Sequence, residues 1–201
     1  MNSNKAIEEM LHIFNSLCPL DDEAKKSISV IFEQKFIPKN TLLVTNGSVV
    51  NKIWFLNTGL LRSFFYKDGK ECTTWIMLDK FPFTNYRSFI TGNPSIDNIV
   101  TVEDCVVLET TREKVYKLYD QYPAANALGR TFAEIYFLRH DAHVNSILFS
   151  SAEERYNNLM DAMPSIVDRM KDKDIASYLG LTKETYSRIL SKYKNIPKTT
   201  K

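Results

Sequence analysis

Apolar residues recur at helical spacing through residues 4–18, where Ile7, Met10, Leu11, Phe14 and Leu17 fall on one face. Asp21-Asp22-Glu23 then has the chemistry of a capped start, and Ile28, Ile31 and Phe32 give a second short helix its inward side. From about Phe36 the period shortens. Apolar and β-branched runs at 41–45, 52–56, 60–66 and 71–78 are separated by Asn-Gly-Ser, Asn-Thr-Gly and Lys-Asp-Gly-Lys. Asp68-Gly69 between two such runs predicts a tight hairpin. Two further strands are predicted at 98–102 and 105–109. Between the two groups, residues 84–91 predict one or two helical turns ended by Gly92. Short strands at regular spacing predict an antiparallel sandwich or barrel.

The helical period returns at Thr111-Arg112-Glu113, and Pro123 bounds that helix. A long helix is predicted over 123–149, about 40 Å at 1.5 Å per residue. Leu128, Ile135, Ala142 and Phe149 recur every seven residues with Phe132 and Leu138 between them, an apolar seam that a second copy of the chain can cover. Packing on its own domain is the alternative. Ser150-Ser151-Ala152-Glu153-Glu154 caps the next helix, which Met163-Pro164 ends.

Charge adds a direction to this picture. The formal net charge is +2. Yet residues 171–201 carry eight Lys/Arg against three acids, while the rest carries 18 against 21. A basic C-terminal unit on a mildly acidic body is the electrostatic footprint of a nucleic-acid binder. Within that unit, Ile175 and Leu179 share a helical face. Ala176 is small where a second helix crosses, Gly180 suits a left-handed turn, and Thr182 can cap the helix that follows. Tyr186, Ile189 and Leu190 then turn inward, leaving Lys183, Glu184, Ser187 and Arg188 outward. These are the parts of a helix-turn-helix. Arg188 can donate twice to guanine, Glu184 can accept from cytosine, and Lys183 can reach guanine or phosphate. Lys171, Lys173, Thr182, Lys192 and Lys194 are assigned to phosphate, which sets affinity rather than sequence.

The segment Thr182-Lys183-Glu184-Thr185-Tyr186-Ser187-Arg188-Ile189-Leu190 resembles the recognition helix of the cyclic-AMP receptor protein and fumarate–nitrate regulator (Crp/Fnr) family, whose pattern is roughly S-R-E-T-V-S-R-I-L. The stretches 36–43, 53–62 and 68–71 look like the first strands of that family's cyclic-nucleotide-binding β-roll, and 102–108 like its closing strands. The resemblance covers about residues 20–194. It implies an α+β fold: an N-terminal double-stranded β-helix, a long dimerisation helix, and a C-terminal winged-helix-like helix-turn-helix. The units would be 1–122, 123–149 and 150–201. The tail from Ile196 to Lys201 is too short for the family's wing and reads as a basic extension. The resemblance also implies a cytoplasmic homodimer on double-stranded DNA, with RNA polymerase as a further partner.

Two positions break the family's phosphate cassette. Asn85 falls near the place of its ribose-binding Glu, and Ser95 at that of its phosphate-binding Arg. A buried cyclic phosphate without the guanidinium loses several kcal/mol. Classical cyclic-AMP binding is therefore not expected. The effector is open, and Asn85, Tyr86, Arg87, Ser88, Ser95 and Asn98 mark the pocket where one would sit. A divergent cyclic-nucleotide pocket, and a small-molecule sensor acting through protein contacts without DNA, are the alternatives.

Little else carries chemistry. Cys18, Cys72 and Cys105 are isolated and read as buried or half-buried thiols in a reducing compartment. His140 and His143, three apart, are read as facing solvent or a dimer partner rather than a metal. No nucleophile elbow, phosphate loop, GxGxxG or HExxH occurs, so no catalysis and no cofactor is expected. The N-terminus has no apolar signal core, and no membrane association is expected.

Overall fold

The computed structural model describes residues 3–194. Two helices, α1 (Ser3–Leu17) and α2 (Asp22–Ile31), precede the strands. Asp21 caps α2 by accepting from the Ala24 N–H at 2.7 Å. Met10, Phe14, Ala24 and Ile28 from this pair are buried against Phe55 and Leu108 of the strands.

The β unit is two four-stranded antiparallel sheets. One runs in the order β1 (Glu33–Ile37), β8 (Cys105–Thr111), β3 (Lys52–Thr58), β6 (Phe81–Phe83). The other runs β2 (Leu42–Val44), β7 (Asn98–Thr101), β4 (Leu60–Lys67), β5 (Lys70–Leu78). Leu56, Leu61, Ile99 and Val107 fill the space between the sheets. Asp68 and Gly69, with φ of 51° and 73°, make the tight turn that sets Lys67 opposite Lys70. Thiols of Cys18 and Cys72 are half-buried and that of Cys105 is buried, and all three are free.

Helix α3 (Tyr86–Thr91) lies between β6 and β7, capped by Asn85 and stopped by left-handed Gly92. After α4 (Arg112–Gln121) comes α5 (Pro123–Phe149), started by the fixed φ of Pro123. Ser151 and Glu154 form a reciprocal capping box at α6 (Ala152–Ala162). Three helices follow: α7 (Ile166–Arg169), α8 (Asp172–Tyr178) and α9 (Lys183–Lys194). The residues after 194, including the expected basic extension, lie outside the described ones.

The C-terminal helices share a core with the second sheet. Leu60 and Ile76 of the strands join Tyr156, Leu159, Ile166, Ile175, Tyr186 and Ile189 in one buried cluster. Polar links reinforce it. Arg62, only 7% exposed, reaches Glu71 and Asp174, and the Thr73 N–H donates to Ser177 Oγ at 2.9 Å. Arg169 donates to Glu103 at 2.5 and 3.2 Å and to the Gly59 carbonyl at 2.9 Å.

The long helix corrects part of the expected seam. Leu128 and Phe132 are buried in the chain's own N-terminal core, where Phe132 meets Phe14 and Phe81 edge-on. They are not available to a second copy. Ile135 is half-buried, and Ala142 and Phe149 are exposed. Beyond residue 136 the open apolar side is formed by Phe137, Leu138, Val144, Leu148 and Phe149. The seven-residue count placed the seam about a third of a turn away, because the first three turns pack inward.

Candidate functional site

Helices α8 and α9 are joined by a turn whose geometry follows from two residues. Gly180 takes φ of 63°, and its N–H donates to the Ser177 carbonyl at 3.0 Å. Thr182 Oγ1 then accepts from the Thr185 N–H at 3.2 Å and caps α9. Ile175, Ala176, Leu179, Tyr186 and Ile189 are buried behind the turn. Tyr186 is wholly enclosed, with its ring 6.1 Å from Tyr156, and its hydroxyl has no partner. Burial raises its pKa.

The opposite face of α9 is open. Lys183, Glu184, Ser187 and Arg188 are all exposed on consecutive turns. The Glu184 carboxyl, held by a backbone N–H and the Thr182 hydroxyl at the helix start, sits below its ordinary pKa and stays an acceptor. A donor, an acceptor and a bidentate guanidinium are thus displayed on one rod.

The residues assigned to phosphate are more dispersed. Lys192 pairs with Glu153 of α6, and Lys173 lies 4.0 Å from Glu71 of β5. Lys171 and Lys173 border a cavity of about 330 Å³ between α8 and the second sheet, with Arg62 and Arg169. Thr182 is committed as the cap. Lys194 ends α9, and its side chain lies outside the described residues.

The six residues marked for an effector divide sharply. Asn85 accepts from the Ser88 N–H at 2.9 Å, and Ser88 Oγ accepts from the Val50 N–H at 2.9 Å. Ser95 Oγ closes a turn with the Asp97 carbonyl and N–H, and Asn98 accepts from the Asn46 N–H at 3.0 Å. Ser88, Ser95 and Asn98 are spent on backbone and do not line the large cavity, which corrects their assignment. Their polar atoms are needed to hold the loops around α3.

Asn85, Tyr86 and Arg87 do border that cavity, whose volume is about 710 Å³. Its wall is aromatic. Trp75 of β5 lies 5.8 Å from Tyr136, 5.9 Å from His140 and His143, and 6.5 Å from Tyr178. His143 stacks on Tyr178 at 4.2 Å, and Tyr86 lies 4.2 Å from Tyr136. His143 is thus half-buried against its own chain, while His140 stays exposed as expected, with one face toward Trp75. Burial lowers the His143 pKa and pushes Tyr178 up to about 12. Burial also raises the Asp97 carboxyl at the α3 end.

Sequence reasoning missed Trp75, Asp97, Tyr136, Arg155 and Tyr178 as cavity residues. The spacing of Tyr136, His140 and His143 puts them on one helical face, which was legible. Their meeting with Trp75 was not, because it depends on how α5 crosses the sheet. No group of three or more His, Cys, Asp or Glu among the described residues could hold a metal ion. Nor is any helix there long and apolar enough to cross a membrane.

Comparison with known proteins agrees with this architecture. Residues 34–122 match the cyclic nucleotide-binding domain family. No curated protein sequence matches the chain. Among solved structures, FixK2 from Bradyrhizobium japonicum superposes with a TM-score of 0.69 at 22% identity, covering 82% of this chain and 85% of its own. The c-di-GMP responsive global regulator CLP from Xanthomonas campestris gives 0.67 at 14%, covering 87% and 92%. A crp/fnr-family protein from Eubacterium rectale gives 0.66 at 17%, covering 87% and 84%. Residues 34–122 are therefore similar to the cyclic nucleotide-binding domain family, and the chain has the fold of the Crp/Fnr regulators.

Proposed function

We propose that the protein is a dimeric, sequence-specific DNA-binding transcription regulator whose β unit receives an effector. One observation carries this reading: Lys183, Glu184, Ser187 and Arg188 are exposed on one face of a capped helix whose other face is buried. Such a helix enters the major groove with its N-terminal residues against base edges. Lys183, Glu184 and Arg188 read bases, and Ser187 supplies a neutral partner. Lys171, Lys173, Thr182, Lys192 and Lys194 face phosphate, two of the lysines after release from Glu71 and Glu153.

Two copies would join through the exposed side of α5 and place their α9 helices in successive major grooves about 34 Å apart. The relatives' fold supports this arrangement, and CLP, which shares that fold, is a global regulator. Activity as an enzyme is no part of the reading. RNA polymerase is a natural second contact for such a regulator, and the cytoplasm its natural compartment.

Selection of bound duplexes from a random pool, followed by fluorescence anisotropy at several salt concentrations, tests the reading. A two-fold symmetric site should emerge, with affinity falling steeply as salt rises. Arg188→Ala should cost about 1–3 kcal/mol and relax preference at one position per half-site. Unselective binding by the native chain, or unchanged selectivity in the variant, overturns the assignment.

A further inference from the structure

The large cavity is built from three parts of the chain that a regulator must couple. The sensor sheet gives Trp75, α5 gives Tyr136 and Arg139, and the DNA-binding unit gives Arg155 of α6 and Tyr178 of α8. About 710 Å³ is room for a drug-sized ligand.

Three of its polar atoms are unspent. Thr74 Oγ1, Tyr86 Oη and Arg155 Nε are buried without a hydrogen-bond partner, and all three residues line this space. A buried polar atom left unpaired is destabilising, and a ligand that pairs with it recovers that cost. Cations outnumber anions in the lining. The arginine ion pairs among the described residues involve Arg62, Arg130 and Arg169, so Arg87, Arg139 and Arg155 have no carboxylate. Arg139 instead lies over the Phe81 ring at 4.3 Å. Against them stand Asp79, exposed on the rim, and Asp97 at the α3 end. Lys80 also borders the space but is taken by Glu9 and Asn57.

At the α3 end the helix-start backbone donor is already used. Asn85 occupies the Ser88 N–H, and the Ser88 hydroxyl accepts from Val50. Of the three arginines without a carboxylate, Arg87 at the α3 end and Arg139 are exposed, and Arg155 is half-buried. The Arg155 Nη1 lies against the Gly180 turn, beside the start of α9.

We propose that this cavity binds a planar aromatic organic anion, its ring against Trp75, Tyr136 and His143 and its charge on Arg155. A ligand so placed ties the sensor sheet to the turn that aims α9. The binding site stands on the cavity alone; its regulatory consequence rests on the reading of the chain as a DNA-binding protein.

Isothermal titration calorimetry of the full chain with 2-naphthoate, its neutral isostere 2-naphthamide, acetate and cyclic AMP tests this. Naphthoate should bind at least ten-fold more tightly than naphthamide, with acetate and cyclic AMP silent. It should quench tryptophan emission, and Trp75→Phe should remove that quenching. Arg155→Gln, with native circular dichroism and thermal midpoint, should bring naphthoate down to the naphthamide level. Equal binding of acid and amide, an Arg155→Gln variant that keeps the preference, or no naphthoate heat overturns the proposal. So does cyclic AMP binding more tightly than naphthoate. Anisotropy on the selected duplex is scored separately. Intact DNA binding with no naphthoate heat sinks this inference alone, and absent DNA binding with naphthoate heat sinks the functional reading alone.

Discussion

At Gly59 the backbone takes φ of 124°, and a Cβ there would meet Cys105 Sγ at 2.5 Å and Cys105 Cα at 3.0 Å. The glycine satisfies a strained turn and a close sheet-to-sheet approach at once. Gly59→Ala should cost about 2–4 kcal/mol, read from urea unfolding midpoints. His143 carries a different kind of constraint. Burial and then His140 lower its pKa, so the folded chain binds fewer protons than the unfolded chain as pH falls through about 6.5. Its contribution is neutral above that pH, turns destabilising below it, and is complete once pH drops past the folded value. Asp97 works in the opposite sense, since burial raises its pKa and it favours folding when protonated. The difference in urea midpoint between native chain and His143→Gln isolates the histidine. It should narrow or invert as pH falls from about 7.5 to 5. Neither residue's environment was visible in the sequence. Gly59 read as a turn glycine, and His143 as a solvent or partner residue.

Helix α8 is held to β5 by more than apolar contact. Arg62 is buried between Glu71 and Asp174 and lies 4.3 Å over the Phe64 ring. Arg62→Leu strands the buried Asp174 carboxylate and leaves Glu71 only Lys173 at 4.0 Å. A loss of about 3 kcal/mol is expected, since removing one partner of a buried ion group strands the rest. Differential scanning calorimetry checks it, and a red shift of Trp75 emission would show that α8 has lifted from the sheet. At this scale the sequence was highly legible where local signals act. Pro123 and Ser150 bound the long helix, Thr111 and Ser151 cap their helices, and Gly180 turns as its residue type demands. It was poorly legible at β1 and β6. These strands are short, and β6 contains Pro82; both exist because β8 and β3 offer them an edge.

At the scale of the whole molecule, an apolar surface lies open along the second half of α5. Phe137 is 67% exposed, Leu148 66% and Phe149 82%. Phe137 and Leu148 lie on one line, three turns apart, and a patch of this kind marks an interaction site. Under the dimer reading, Phe137→Glu with Leu148→Glu should give monomers in sedimentation velocity while circular dichroism stays native. DNA affinity should then fall by at least two orders of magnitude, because each protomer reads only half of a symmetric site. A variant that remains dimeric would place the contact elsewhere.

Local chemistry written in the chain was enough to determine the β unit, the long helix and the helix-turn-helix, because caps, turn glycines and apolar periods act over a few residues. The outward face of α9 was determined in the same way, by residues three and four apart. Tertiary structure alone decided which side of α5 is open. Leu128 and Phe132 are consumed by a core whose other members, Phe14 and Phe55, lie far away in sequence. It also decided that Ser88, Ser95 and Asn98 serve loops while Trp75, Tyr136, Arg155 and Tyr178 enclose a cavity. A cavity is a relation among distant segments, fixed by how the sheets, α5 and α6 pack, and no local pattern encodes it.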